Sequence, residues 1–174
     1  MVNSPLILRR PVLDDEPVVR QAQIELQADG FDFAWGLTAD GSWATYLERL
    51  DRLHNGVDLP EGVVKSTFFL AEVNDEVVGS TSIRFDLNEY LSEFGGHIGY
   101  CVRPGFRRRG YAVTMLRLQI ESAHAARIDD ILVTCLESNA ASAAVIESCG
   151  GEYEYSLTRP DGAVFRRYWF RRPD

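Results

Sequence analysis

The chain reads Val102-Arg103-Pro104-Gly105-Phe106-Arg107-Arg108-Arg109-Gly110-Tyr111-Ala112 between a predicted strand, residues 97–102, and a predicted helix, residues 110–127. Backbone N–H groups at a helix start have no partner within the helix and carry the positive end of its dipole. Gly110 lets the chain approach a ligand closely, and the three arginines add to the attraction for an anion. The stretch therefore predicts a loop that binds a diphosphate, although the Arg107 to Gly110 segment alone fits a solvated basic turn equally well.

The segments around this stretch predict an α/β (α+β) protein with the element order β-α-α-β-β-β-α-β-α-β-β. Alternating apolar residues predict strands, and capping residues before apolar positions spaced three and four apart predict helices. The predicted strands cover residues 5–10, 67–73, 77–85, 97–102, 131–136, 153–157 and 164–170, and the predicted helices cover 14–29, 43–54, 110–127 and 139–149. Turns are predicted at residues 74–76 and 159–162, and connecting segments at 30–41, 56–62 and 86–96.

Length, composition and charge exclude several classes of protein. The 174 residues, of which 45% are hydrophobic, are enough for a single domain over residues 1–174 with a sizeable core. No apolar run is long enough to span a membrane, and the N-terminal MVNSPLILRR lacks the apolar core of a signal peptide, so we expect a cytoplasmic protein. The net charge of −8 argues against a nucleic-acid partner, because phosphate neutralisation needs a basic surface.

Other cofactor and metal sites find no support in the sequence. It contains no GxxxxGK[ST] or GxGxxG motif for nucleotides. The histidines are scattered, so we expect no metal site; they are His54, His97 and His124. Alternation along the strand places His97 on the face opposite Tyr100, where a structural role is the more common one. The cysteines form no CxxC pair and lie in apolar segments, so we expect reduced core thiols at Cys101, Cys135 and Cys149.

Two motifs resemble the GNAT (Gcn5-related N-acetyltransferase) superfamily. Arg107-x-x-Gly110-x-Ala112, preceded by Val102-Arg103-Pro104, matches the family pattern Q/R-x-x-G-x-G/A after V-x-P. Downstream, Asn139-Ala-Ala-Ser142-Ala-Ala-Val-Ile146-Glu-Ser-Cys-Gly150 is similar to the family helix N-x-x-S-x-x-x-x-E-x-x-G. The resemblance covers residues 68–170. It implies a mixed, mostly antiparallel sheet of six to seven strands, flanked by about four helices, with a splayed central strand pair that holds acetyl-CoA.

The resemblance also implies an N-acetyltransferase that moves an acetyl group from acetyl-CoA to a primary amine within a ternary complex. Val102 would offer backbone groups to the pantetheine arm and an N–H to the thioester oxygen. The pyrophosphate would be held by Arg107, Arg108, Arg109, Gly110, Tyr111 and Ala112. Asn139, together with Ser142, would contact the pantetheine or the region of the sulfur.

The acid and the base that many relatives use are both missing from this sequence. The family often has a tyrosine acid where this chain has Ile146, and Ser142 is the natural substitute, although a serine in the first turn of a helix equally often bonds only to backbone. Relatives often carry a base at the position of Gly96. The candidates that remain for accepting the amine proton are Tyr100, favoured by geometry, Glu93, favoured by acidity, and, with less support, Glu89 and Glu137.

The sequence leaves the acceptor amine open, either a small molecule or a peptide or protein N-terminus. Its pocket would be built from residues 30–41, residues 86–96 and the final hairpin. The missing acid and base keep a non-catalytic acyl-CoA-binding or sensor domain as the alternative, while the arginine turn alone suggests a nucleic-acid module. A homodimer formed through an exposed strand or through the aromatic residues of the 30–41 segment is also compatible with the sequence.

Overall fold

The computed structural model of the protein describes residues 5–172. These residues form four α-helices: α1 (Glu16–Gln27), α2 (Trp43–Asn55), α3 (Tyr111–Ala125) and α4 (Ala140–Ser148). They form seven strands: β1 (Ile7–Arg9), β2 (Ser66–Val73), β3 (Glu76–Arg84), β4 (Ile98–Val102), β5 (Asp130–Leu136), β6 (Glu152–Thr158) and β7 (Val164–Arg171). The element order predicted from the sequence is confirmed, with boundaries that differ by a few residues at the ends.

The first sheet has the order β1-β2-β3-β4, and all its strand pairs are antiparallel. Asn74 and Asp75, with φ of 52° and 62°, make the tight turn between β2 and β3. Glu76 already belongs to β3, so the turn is one residue shorter than predicted. Helices α1 and α2 pack their apolar faces on this sheet, where Leu26 and Leu50 meet Leu70 in one buried cluster.

The second sheet has the order β5-β7-β6 and is also antiparallel. Helices α3 and α4 contribute Leu116 and Ile146 to a core that joins this sheet to the first. Ile83 and Ile98 enter that core from the first sheet, and Ile131 and Tyr168 are among the residues that enter it from the second. The three cysteines are free, as predicted, and Cys101 and Cys135 are buried.

The predicted splayed central strand pair is confirmed as β4 and β5, which diverge after one point of contact and so divide the seven strands into two sheets. The His97 N–H donates to the carbonyl oxygen of Leu132 at 2.7 Å, and the His97 Nδ1 accepts from the Leu132 N–H at 2.9 Å. Beyond this contact, the described parts of β4 and β5 share no ladder of hydrogen bonds. Gly96, at φ of +66°, allows the close approach, since a Cβ there would lie 2.6 Å from the Leu132 oxygen. His97 therefore has a structural role where the two sheets separate.

Candidate active site

A cleft of about 750 Å³ opens where the two sheets diverge. Its walls come from both sheets, from α2 and α4, and from the aromatic segment 31–35. Aromatic side chains make up much of the surface, including those of Phe33, Tyr46 and Phe68. Such a cleft can enclose a small ligand and exclude much of the water around it.

Tyr100 and Ser142 meet at the wall of this cleft. The Tyr100 Oη lies 2.9 Å from the Ser142 Oγ, and either hydroxyl can be the donor. Burial raises the pKa of Tyr100 well above its ordinary value, while the hydrogen bond with Ser142 acts in the opposite direction. The phenol is therefore protonated at neutral pH and serves as a hydrogen-bond donor, which weakens its predicted role as a base.

Asn139 sets the position of Ser142 by capping α4. Its Oδ1 accepts from the backbone N–H of Ser142 at 3.0 Å, the usual arrangement for an asparagine at a helix start. Both residues line the cleft. Burial raises the pKa of the neighbouring Cys135 thiol, and a hydrogen bond with Ser142 lowers it in part. The Ser142 hydroxyl thus lies at the meeting point of Tyr100, Cys135 and the open cleft.

The loop between β4 and α3 presents free backbone N–H groups. Gly110 is the N-cap of α3 at φ of +82°, and Arg108 also has a positive φ, 64°. Among residues 5–172, no acceptor is found for the N–H groups of residues 108–113. This arrangement fits the predicted pyrophosphate site, because consecutive free donors at a helix start bind phosphate oxygens.

The three arginines of this loop do not act alike. Arg107 pairs with Asp29 at 2.5 Å and donates from its Nε to the Val102 carbonyl at 3.2 Å. Arg109 donates to the Gly105 carbonyl at 3.1 Å. Arg108 is exposed, and no ion pair involves it in the part of the chain that the structure describes. The charge of Arg107 is partly neutralised by Asp29, so Arg108 is the most available of the three to a phosphate.

Val102 presents a backbone donor at the edge of β4. Arg103 N–H donates across to Val78 of β3 at 2.9 Å. Because successive N–H groups of a strand point to opposite sides, the N–H of Val102 points away from β3 and towards the opening between the sheets. This direction agrees with the predicted contact between Val102 and a thioester oxygen.

The Acetyltransferase (GNAT) domain family matches residues 5–152. The chain belongs to the GNAT acetyltransferase family. Membership makes it an acetyl-CoA-dependent acyltransferase, as the sequence motifs predicted. Among curated proteins, no sequence matches this GNAT chain.

Solved structures of GNAT enzymes share its fold over nearly the whole chain. RimL, a ribosomal L7/L12 alpha-N-protein acetyltransferase in complex with coenzyme A, has a TM-score of 0.75 at 18% identity and covers 99% of this chain and 97% of its own. Mycobacterium smegmatis RimJ in complex with CoA-disulfide has a TM-score of 0.73 at 19% identity, covering 97% and 82%. The Microcin C7 self immunity acetyltransferase MccE, in complex with acetyl-CoA and AMP, has a TM-score of 0.69 at 17% sequence identity. The match covers 98% of this chain and 94% of MccE.

The positions of the missing acid and base hold no functional group in this GNAT chain. Ile146 is fully buried in the core, and Gly96 has no room for a side chain beside Leu132. Glu93 is exposed in a π-helical turn, Leu91–Gly95, and is not among the residues that line the cleft. Its carboxylate is therefore not brought to Tyr100, contrary to what nearness in sequence suggested. Glu89 and Glu137 are likewise exposed and outside the cleft walls.

Sequence reasoning missed several polar residues that the fold brings into the cleft. Asp32 and Glu61 are carboxylates on its walls, and Arg84 and Ser82 reach it from β3. Alternation along the 77–85 strand could have placed Ser82 and Arg84 on one face, but no local signal says what that face meets.

In the range 5–172 no helix is both long and apolar enough to cross a membrane. No group of three or more metal-binding side chains occurs in the same described range.

Proposed function

We propose that this chain transfers the acetyl group of acetyl-CoA to a primary amine held in the cleft beside Tyr100 and Ser142. The observation that carries the proposal is the 2.9 Å contact between the two hydroxyls at the point where the sheets diverge. Acetyl-CoA supplies an activated thioester, whose carbonyl carbon is attacked by an unprotonated amine with release of a thiol. Each catalytic group of the chain is then assigned by where it lies.

The loop before α3 binds the pyrophosphate with the free N–H groups of residues 108–113, and the side chain of Arg108 adds charge. Tyr111 and Ala112 take part through their backbone at the first turn of the helix, where the dipole favours an anion. Val102 directs its N–H into the opening, where it stabilises the negative charge that develops on the carbonyl oxygen. Asn139 fixes the first turn of α4 and so the place of Ser142.

Ser142 is the proton donor to the leaving sulfur in this proposal, and Tyr100 supports it. The 2.9 Å contact permits either hydroxyl to donate, and in our proposal Tyr100 is the donor, which leaves the serine hydrogen free to point into the cleft. The raised pKa of Tyr100 keeps that phenol protonated and suits it to donate rather than to accept. Tyr100 thus orients and polarises Ser142, while Ser142 is the group that would contact the sulfur.

The relatives support an amine acceptor in general. RimL is named for a protein N-terminus, whereas a related structure is a chimera built on the spermidine N-acetyltransferase SpeG of Vibrio cholerae, with a TM-score of 0.62 at 14% identity. Identities this low carry the fold alone, so the cleft itself must define the acceptor. Small amines and peptide N-termini both fit a cleft of about 750 Å³ that opens to the surface.

The test measures CoA release from acetyl-CoA over a panel of small amines and short peptides, followed by kinetics of Ser142→Ala, Tyr100→Phe and the double variant. We expect Ser142→Ala to lower kcat by about 10²-fold with an unchanged Kd for acetyl-CoA. Tyr100→Phe should have a smaller effect, and the double variant should be no slower than Ser142→Ala, because Tyr100 acts through Ser142.

Two outcomes would contradict the proposal. A wild-type rate for Ser142→Ala removes its role as proton donor. Stabilisation of the protein by acetyl-CoA, with no CoA released by any amine of the panel, would favour the acyl-CoA-binding domain instead.

A further inference from the structure

Arg84 is the last residue of β3, and its side chain enters the cleft. Alternation along the strand places it on the same face as Ser80 and Ser82, and all three line the cleft. Gly99 of β4 lies beneath this face, opposite Ser82 in the register. A Cβ at Gly99 would lie 3.6 Å from each terminal nitrogen of Arg84 and 3.3 Å from the Ser82 Oγ. The missing side chain thus leaves space into which a guanidinium and a hydroxyl both point.

The guanidinium of Arg84 has no carboxylate partner in the described part of the chain. Its hydrogen bond goes to the Gly96 carbonyl at 3.3 Å, which uses one of its five N–H donors. Two other largely buried arginines have carboxylate partners. Arg103 donates two hydrogen bonds to Glu25, at 2.9 and 2.8 Å, and Arg167 forms an ion pair with Glu154 at 3.0 Å. Burying the charge of an arginine without a paired anion costs free energy, so the position of Arg84 needs another explanation.

No carboxylate among the described cleft residues neutralises the charge of Arg84. Asp32 and Glu61 line the same cleft, yet neither forms an ion pair with Arg84 in residues 5–172. Arg159 also lines the cleft, but Asp161 already neutralises it at 2.6 Å. Burial lowers the pKa of Arg84, in keeping with a charged group that has lost water and gained no anion. Its free donors, with the Ser82 hydroxyl beside them, are arranged for an oxyanion.

We propose that Arg84 and Ser82 bind an anionic group of the acceptor, a carboxylate or a phosphate, so that the acceptor is a small amine that carries an acid. This inference rests on the proposed acetyl transfer, because it assigns the substrate of that same cleft. Gly99 directly precedes Tyr100, and neighbouring Cα atoms are about 3.8 Å apart. By alternation, Gly99 and Tyr100 face opposite sides of β4, so the anion site and the Tyr100–Ser142 pair reach the same cleft from the two sides of this strand. An acceptor that spans both carries its acid and its amine on one small molecule, as in an amino acid or an aminoalkyl phosphate.

The experiment uses matched probes that differ only in the acid. Phenylalanine is compared with phenylalanine amide and with phenethylamine, and phosphoethanolamine is compared with ethanolamine. Binding to protein saturated with CoA, which fills the loop before α3, is measured by calorimetry, and CoA release from acetyl-CoA is measured separately. The carboxylate and phosphate arms distinguish the two sources of the anion.

We expect at least one acid-bearing probe to bind more tightly than the partner that lacks the acid. The expected difference is between about tenfold and about a hundredfold, the range for a charged hydrogen bond. Arg84→Gln should remove that preference by raising KM with a nearly unchanged kcat, and Arg84→Lys should restore part of it. Gly99→Ala, which keeps every charge, should also weaken acid binding because its Cβ would occupy the space beside Arg84 and Ser82. Arg117→Gln is the matched control, because it removes the same charge from an exposed arginine on α3, and it should keep the preference.

The inference is overturned if wild-type protein binds no acid-bearing probe, if the uncharged partners bind as well, or if Arg84→Gln leaves the preference intact. Failure of the acetyl transfer is a separate result. Binding of an acid that depends on Arg84, without CoA release, would keep the anion site and reject the transfer. Release of CoA by acid-bearing amines at the same rate in Arg84→Gln as in the wild type would keep the transfer and reject the anion site.

Discussion

At the scale of single residues, substitutions at Gly105 and Gly110 distinguish the effect of backbone conformation from the effect of side-chain contact. Both lie in the loop before α3, and an added Cβ at either would meet no heavy atom within 4 Å. Only Gly110 has a positive φ, +82°, a conformation that costs a residue with a Cβ about 1–2 kcal/mol. We therefore expect Gly110→Ala to lower acetyl-CoA affinity about tenfold by calorimetry, and Gly110→Val to lower it further, whereas Gly105→Ala retains it.

All three variants should keep the far-UV circular dichroism of the wild type, which serves as the control for folding. Equal acetyl-CoA affinity in Gly105→Ala and Gly110→Ala would contradict the assignment of the loop as the pyrophosphate site.

The same scale shows which site residues a sequence can reveal. The residues of the loop are neighbours in the chain, so the conformation they need is visible as a local pattern. Tyr100 and Ser142 meet across 42 positions, and Arg103 meets Glu25 across 78, which no local pattern encodes. Arg84 became a candidate only when the fold showed that it lies in a cleft and lacks a partner.

At the scale of elements, the junction of β4 and β5 depends on a neutral His97. Its Nδ1 accepts from the Leu132 N–H, which requires that nitrogen to be unprotonated. Burial, and then the positive charge of Arg84, lower the pKa of His97 below its ordinary value of 6.5. The unfolded chain therefore binds a proton below that pH while the folded chain does not. The stability that His97 provides is complete above pH 6.5 and declines as the pH falls towards the lower pKa of the folded state.

We expect the free energy of unfolding, measured with urea, to decrease between about pH 7.5 and about pH 5.5 by at most about 1.4 kcal/mol per pH unit from this group. His97→Asn keeps an acceptor oxygen but does not titrate, so its decrease should be smaller. The pKa of His54 is also lowered, mainly by burial, and His54→Asn therefore serves to measure the remaining part. An identical pH dependence in His97→Asn and the wild type would show that His97 is not held neutral.

Elements differ in how far a sequence reveals them. Ser42 caps α2 and Gly56 ends it at φ of 71°, so the helix was predictable from its own ends. The division of the sheet depends on Gly96 and Leu132, which lie 36 positions apart and meet only in the folded chain. The motifs implied a splayed pair of strands through family resemblance, and the physical cause became visible in the contact between these two residues.

At the scale of the whole molecule, one core spans both sheets although few hydrogen bonds do. Ile83 and Ile98 of the first sheet pack in the same buried cluster as Ile131 and Tyr168 of the second. Each Å² of buried apolar surface contributes about 25 cal/mol to stability. The shared core couples the two sheets, because separating them would expose the apolar surface of both. This coupling supports the prediction that residues 1–174 behave as one domain.

Tryptophan variants test that prediction, because Trp35 and Trp43 lie on the α1–α2 side and Trp169 lies in β7 of the second sheet. Trp169→Phe leaves fluorescence that reports on the first region, and the double variant Trp35→Phe/Trp43→Phe leaves fluorescence that reports on the second. In each variant we expect the urea transition followed by fluorescence to coincide with the one followed by circular dichroism, because a shared core unfolds in one step. Comparing two probes within each variant cancels any loss of stability from the substitution itself, such as that of the Trp43 hydrogen bond to the Val12 carbonyl at 3.2 Å. A fluorescence transition that precedes the dichroism in one variant and follows it in the other would show two independently unfolding halves, and the cleft between them would then owe its shape to bound acetyl-CoA rather than to the core.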